Sequence, residues 1–400
     1  MVQLGRRATV ATLGTTQTLA WASSYYLPAM LAVPMARDVG VSVPAVFGAF
    51  SCALVVAALI GPRAGRVIDR WGGRPVLMAT NVVFALGLVA LGLASGPVGL
   101  VASWVVLGAG MGTGLYESAF ATLVHLHRKD SRDLITGITL IAGFASTVGW
   151  PLSTWLEAHV GWRGACYAWA ALHVLVGLPL NALLPRPRGG TAEPDAVARA
   201  AAADGMDDAA QWRATVILSF VFATTLFIAT AMAAHLPRLI QATGASLEAA
   251  VLVGALIGPS QVAARLLEFG LMRRVHPLLS TRIAASLHPA GAIALFAFGP
   301  PCAALFGVLH GAGNGLVTIA RGTLPLAIFG PRGYGHRQGM LGVPARMSQA
   351  LAPWLFGLAL DRWGTSVLLL SASMGAIAAL CLFVPMGVRP GTSREPAATR

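Results

Sequence analysis

Five ionisable side chains interrupt otherwise apolar stretches of the chain: Glu117, Arg265, Glu268, Arg321 and Arg346. In such surroundings a charge is tolerated only beside a partner or a water-filled cavity. Two guanidiniums can grip a carboxylate through paired, charge-assisted hydrogen bonds, which makes Arg321 and Arg346 candidate ligands for an organic anion. A carboxylate in the same setting, Glu117, can take up and release a proton. The same charges could instead meet one another and close a passage, and the sequence leaves both readings open.

Helical spacing groups these residues. Ser103, Gly110, Thr113 and Glu117 fall on one helical face, and Asn314, Thr318 and Arg321 on another. Counted from the middle of their stretches, Glu117 and Arg321 lie about 7–9 Å toward one end at 1.5 Å per residue. Arg346 reaches a similar depth, with Gln349 one turn further on. Arg265 and Glu268 lie nearer a stretch end, where they read either as a structural pair or as part of a site. His310, just before a glycine run, reads as a packed histidine or as a group that titrates near neutral pH.

The elements that carry these groups must be membrane helices. Of 400 residues, 56% are hydrophobic and 11% charged, with a mean hydropathy of +0.71, whereas a soluble domain carries about 25% charged residues. Apolar stretches bounded by charge, glycine or proline run over 9–36, 44–62, 75–95, 98–125, 134–156, 163–184, 213–240, 248–271, 282–299, 300–329, 337–360 and 365–388. Each is long enough to cross a hydrocarbon core of about 30 Å as a helix, and none reads as the shorter alternating segment of a barrel strand. The expected fold is therefore an all-α membrane protein with twelve transmembrane helices. Cys52, Cys166, Cys302 and Cys381 all fall in apolar stretches, which indicates no disulfide framework.

Most of the 28 lysines and arginines fall on one side of this topology, leaving Arg37, Arg163, Arg238 and Arg362 on the other. The positive-inside rule then places both termini in the cytoplasm, with the protein in the inner (cytoplasmic) membrane. The net charge of +13 is cytoplasmic anchoring and does not point to nucleic acid. A hydrophilic stretch divides the chain into an N-terminal six-helix half (1–184), a cytoplasmic linker (185–212), a C-terminal six-helix half (213–388) and a tail (389–400). Ala58-Leu-Ile-Gly-Pro62 recurs as Ala255-Leu-Ile-Gly-Pro259, and Gly108-Ala-Gly-Met-Gly112 as Gly311-Ala-Gly-Asn-Gly315. Gly137 and Pro151 recur in the same order as Gly339 and Pro353. The halves thus read as two parallel six-helix repeats.

The loop after the second stretch reads Gly65-Arg-Val-Ile-Asp69-Arg70-Trp-Gly72-Gly-Arg74. It resembles the signature of the major facilitator superfamily, a Gly-x-x-x-Asp-Arg-x-Gly-x-Arg run joining the second and third helices. The resemblance implies that Gly65 lets helices approach, that Asp69 caps or pairs with the opposite half at the eleventh helix, and that Arg70 and Arg74 hold the cytoplasmic face. Together with Glu268, in a degenerate second copy, these residues would form a gate. It further implies that the first, fourth, seventh and tenth helices line a central pathway. Arg265 resembles the eighth-helix arginine of monocarboxylate and oxalate carriers, with Arg346 as a second cation and the Tyr25-Tyr26 pair as aromatic wall. The chain departs from proton-coupled members at Trp104, where many carry arginine, and at Gly149-Trp150-Pro151, which only partly matches the drug/proton antiporters.

The expected function is a secondary active transporter that moves a small organic solute, an organic anion such as a carboxylate, by alternating access with proton coupling (symport) through Glu117. The expected substrate ligands are Arg321, Arg346, Asn314, Tyr25, Tyr26 and Arg265. The expected partners are that solute, protons and the lipid bilayer, with no nucleic acid and with a monomer as the working unit. Proton-coupled efflux of hydrophobic or cationic compounds is the alternative, and a non-transporting sensor or scaffold is the alternative of another class. There is no phosphate-binding loop, no His-Glu-x-x-His and no Gly-x-Ser-x-Gly, so the sequence offers no site for nucleotide, metal cofactor or hydrolase chemistry.

Overall fold

The computed structural model describes residues 5–127, 131–185, 207–271 and 275–386. The described residues form helices joined by short turns, with no strand among them. Nine of these helical stretches are long and apolar enough to cross a membrane. Two of the nine, Ser131–Ala182 and Tyr334–Cys381, run to 52 and 48 residues, more than twice what about 30 Å of hydrocarbon requires. Both are broken: Gly161 has φ 71, and Gly364 has φ 53 where a short 3-10 turn intervenes. The predicted linker falls largely on residues 186–206 and the predicted tail on 389–400, both outside the described residues. The helix after the linker begins at Asp208, inside the predicted linker bounds, with that acid in its first turn, where it complements the helix dipole.

In chain order the helices are α1 (Arg6–Ser23), α2 (Leu27–Val39), α3 (Val43–Trp71), α4 (Gly73–Leu93), α5 (Pro97–Gly114), α6 (Tyr116–His127), α7 (Ser131–Ala142) and α8 (Ala145–Leu172). A π-helical turn, His173–Gly177, leads into α9 (Leu178–Ala182). Then follow α10 (Asp208–Ala242), α11 (Leu247–Gly270), α12 (Pro277–Phe298), α13 (Ala303–Phe329), α14 (Tyr334–Trp363) and α15 (Val367–Cys381).

Local chemistry explains the starts and breaks. Ser42 and Ser246 accept from the backbone N–H of Ala45 and Ala249, capping α3 and α11. Between α1 and α2 the chain breaks at Ser24–Tyr26; Pro28 supplies no N–H to continue the helix but suits the first turn of the next. Between α5 and α6 it breaks at Leu115, and the Gln17 amide donates to the freed Gly114 carbonyl at 2.6 Å. Without such a partner, an exposed carbonyl in the membrane interior would be costly.

Packing uses small residues. A Cβ at Gly112 would stand 2.8 Å from the Ala57 carbonyl oxygen, and one at Gly311 would stand 2.7 Å from that of Ile257. The two Gly-x-x-x-Gly runs thus make the same kind of close helix contact, α5 on α3 and α13 on α11. One apolar core is built by α1–α5 and α8, and a second by α10–α15. Between these groups, α3 and α14 meet backbone to backbone: a Cβ at Gly339 would stand 2.6 Å from the Gly61 oxygen, and one at Gly335 2.6 Å from the Gly65 oxygen.

Candidate functional site

The break at Leu115 leaves Glu117 in the first turn of α6, aimed at the helices of the second group. Its carboxylate takes one guanidinium on each oxygen: Arg321 of α13 on Oε1, and Arg346 of α14 on Oε2 at 2.8 Å. The side chains are 15%, 12% and 6% exposed respectively. Two buried cations therefore face one buried anion, which leaves the triad net positive. Removing charges from water is costly and is repaid only by close geometry, and within the triad one guanidinium charge is left uncompensated.

Neighbouring groups fix the arginines. Gln338 donates to the Arg321 backbone oxygen at 2.7 Å and to the Tyr334 hydroxyl at 2.6 Å, and that hydroxyl donates to the Gly322 oxygen at 2.6 Å. One turn beyond Arg346, the Gln349 amide lies 3.4 Å from both the Tyr25 hydroxyl and the Thr230 hydroxyl, which are 3.3 Å from each other. Tyr25 therefore touches the polar layer directly, held there by the break between α1 and α2.

Arg265 and Glu268 do not pair with each other, contrary to the reading of them as a structural pair. Arg265 is 4% exposed and donates to the Thr139 oxygen at 3.3 Å, the Gln261 side-chain oxygen at 3.3 Å and the Gly315 oxygen at 3.5 Å. Thr139 is near the end of α7, so the guanidinium sits at a broken helix C-terminus, where a cation is favoured. Among the described residues it has no carboxylate partner. Glu268, 3% exposed, instead faces Arg132 of α7 at 3.5 Å and accepts from Ser280 at 3.2 Å.

Further toward the arginine-rich face, the Asp69 carboxylate accepts from the backbone N–H groups of Gly335 and His336, each at 2.8 Å. Those are the open donors of the first turn of α14, whose own N-cap, Gly333, offers no side chain. Gly65 permits this approach, because a Cβ there would run into the Gly335 backbone. Gly72, at φ 78, turns the chain from α3 into α4. Arg70 is exposed and lies over the Trp71 ring, 5.2 Å from its centroid, and Arg74 is half-buried at the start of α4. Neither arginine joins the triad.

Two more of the expected ligands lie apart from the triad. Asn314 lines a small cavity with Thr225, His288 and His310, where the two imidazole Nδ1 atoms are 3.0 Å apart. Tyr26 packs edge-on against Tyr25 and Trp150. Sequence reasoning missed Trp21, whose ring lies 4.9 Å from Tyr116 and 5.2 Å from Tyr25. The available signals were spacing and adjacency: Trp21 is one helical turn before Tyr25, and Tyr116 precedes Glu117.

Outside the spans, His276 caps α12 by accepting from the Leu278 N–H at 3.1 Å. Partial burial, then the guanidiniums of Arg132 and Arg282, hold its imidazole below the usual histidine range.

Comparison with known proteins places this geometry in context. The family model described as Major Facilitator Superfamily matches residues 13–308. A protein of Thermoproteus tenax named "Uncharacterized 38 kDa protein in 23S RNA operon" is 28% identical over 370 residues, 92% of each chain. Among solved structures, the proton:xylose symporter XylE bound to 6-bromo-6-deoxy-D-glucose superposes with a TM-score of 0.73 at 16% identity, over 95% of each chain. The human organic anion transporter MFSD10 (TETRAN) superposes with a TM-score of 0.68 at 17% identity, over 95% of this chain and 100% of that one.

Proposed function

The chain belongs to the major facilitator superfamily, a family of transporters rather than enzymes, and from that premise we propose that it carries a small organic anion by alternating access, with protons as the coupling ion. The observation that carries this reading is the triad: one carboxylate, Glu117, held between two buried guanidiniums on α13 and α14. A substrate carboxylate can take the place of Glu117 on Arg321 and Arg346. Glu117, displaced into a poorly solvated site, then takes a proton, so anion and proton enter together and the net charge of the layer is unchanged. A cationic substrate is disfavoured, because Glu117 is already outnumbered by the arginines around it. The solved neighbours, a proton symporter and an organic anion transporter, are compatible with this reading but at this identity speak to the fold alone.

Dividing two of the nine long stretches at Gly161 and Gly364, and counting α1 with α2 as one further pass interrupted at Ser24–Tyr26, supports twelve passes in two six-helix halves, with α1 through α9 in one half and α10 through α15 in the other. On the positive-inside rule the arginine-rich face is cytoplasmic, with both termini there, in the inner membrane. The hydrogen bonds between the halves run from Ser51–Ala350 and Tyr25–Thr230, one turn beyond the triad, to Asp69–His336 at that face. We read this as a monomer closed on its cytoplasmic side, with Gly65, Asp69, Gly72, Arg70, Arg74 and Glu268 as the gate and Arg265 as a second cation near the pathway.

The test is flux into liposomes that hold the purified protein. Organic acids should accumulate under an inward proton gradient and lose that drive when it is collapsed. Glu117→Gln should still exchange acid across the membrane but no longer follow the proton gradient. Coupling that survives in this variant removes Glu117 from the role. Accumulation of organic cations, with acids inert, favours efflux. No flux of either, with a protein partner bound, favours a sensor or scaffold.

A further inference from the structure

The anion reading leaves open what lies behind the carboxylate, and the side chains next to the triad bear on that. Five rings run away from it in contact: Tyr116 to Trp21 at 4.9 Å, Trp21 to Tyr25 at 5.2 Å, Tyr25 to Tyr26 at 5.4 Å and Tyr26 to Trp150 at 6.1 Å. The row starts at the triad on both sides, since Tyr116 adjoins Glu117 and the Tyr25 hydroxyl meets Gln349, one turn from Arg346.

Two features separate this row from an ordinary aromatic core. Trp21, Tyr25 and Tyr26 are only partly buried, whereas the rings behind them, Phe50, Trp104, Tyr116 and Phe120, are 9% exposed or less. Tyr25 bonds across to Thr230 and Gln349 of the other half, so its partly open face looks into the space between the halves and not into lipid. The Trp21 indole N–H is also buried with no acceptor, as is that of Trp104 in the core behind it, so it is the partial exposure and the contacts across to α10 and α14 that set the row apart.

We propose that the substrate is an aryl carboxylic acid, with its carboxylate on Arg321 and Arg346 and its ring against Trp21, Tyr25 and Tyr26. Offset and edge-on ring contacts favour a flat aromatic group over an alkyl chain of the same length. Tyr116 adjoins Glu117, and the Tyr25 hydroxyl meets Gln349, three residues from Arg346, so the rings and the guanidiniums border one layer that a short aryl acid can span. This inference rests on the anion reading above.

The experiment is isothermal titration of the full-length protein in nanodiscs with 3-phenylpropionate, hexanoate, 3-phenylpropanol and the cation phenethylammonium. The aryl acid should bind at least about tenfold more tightly than hexanoate, and the alcohol should bind weakly. Trp21→Leu should bring the two acids to equal affinity, and Trp21→Phe, which keeps a ring, should retain most of the preference. Equal affinity of the two acids in the unaltered protein overturns the aryl assignment and leaves the anion reading standing. Binding of phenethylammonium with neither acid bound overturns both, as does binding of none of the four. If Trp21→Leu fails to fold, Trp21→Phe and the acid comparison in the unaltered protein still decide.

Discussion

Asp69 and His336 are 267 residues apart in sequence, yet the Asp69 carboxylate accepts the His336 backbone N–H at 2.8 Å and supplies the first turn of α14 with the cap its own sequence lacks. Capping side chains contribute about 1 kcal/mol within one helix, and here the contribution joins helices of the two apolar cores. Asp69→Ala should lower the thermal midpoint in detergent measurably, and Asp69→Asn, which keeps one acceptor oxygen, should recover part of it. Equal midpoints for Asp69→Ala and the unaltered protein would refute the capping role.

The seam between α3 and α14 makes a sterically sharp prediction. Gly339→Ala places a Cβ against the Gly61 and Pro62 backbone, which cannot rotate away as a side chain would, and overpacking of this kind costs about 1–3 kcal/mol. Gly48→Ala, at a helical position with nothing within 4 Å, should be neutral or slightly stabilising. Thermal melts of the two variants side by side provide the check, and similar melts would argue that the seam is loose.

Glu117 should behave as one member of a charge unit. Glu117→Ala leaves two guanidiniums buried without their anion, a change that costs about 3–5 kcal/mol in comparable buried pairs. Combining Glu117→Ala with Arg346→Met removes one of the stranded charges, so the double variant should be more stable than Glu117→Ala alone. A double-mutant cycle from denaturation midpoints reads the coupling directly, and strictly additive losses would contradict the geometry.

The cap at His276 gives a pH dependence. The folded state holds this imidazole below its usual range, so the neutral form is favoured on folding. A group depressed in this way stabilises the fold above the unfolded histidine value of about 6.5, and the contribution is lost as pH falls below it. The thermal midpoint should therefore drop between about pH 7.5 and 5.5 by more in the unaltered protein than in His276→Asn, which caps without titrating. Parallel curves would mean that the cap does not sense pH.

Much of this was legible from single residues. Glu117, Arg321 and Arg346 stand out because a charge in an apolar helix needs a reason, and the Gly65–Arg74 run marks the passage from α3 to α4 because its spacing is specific, although the expected loop shrinks to Gly72 with helix on either side. Their pairing was not legible, since it depends on the α5–α6 break at Leu115, which Gln17, far away in sequence, helps to satisfy. Arg265 and Glu268 are three residues apart on one helix and so read as a pair; tertiary contacts with α7 and Ser280 draw them to different partners. Trp21 was invisible for the opposite reason, because an aromatic residue in an apolar helix looks like core until its partial exposure and its contacts with Tyr25 and Tyr116 are seen.

Where Gly61 and Gly65 meet Gly335 and Gly339, the two helices touch through bare backbone and have no interdigitating side chains to disengage. Such a seam acts as a bearing: turning α3 against α14 exchanges one smooth contact for another, with no ridge to climb over. Across that seam the discrete links are the Asp69 cap and the Ser51–Ala350 hydrogen bond, with the Glu117–Arg346 ion pair holding α14 to α6 beside it, so the resistance to such a turn would reside in a few polar contacts rather than in the packing of either helix.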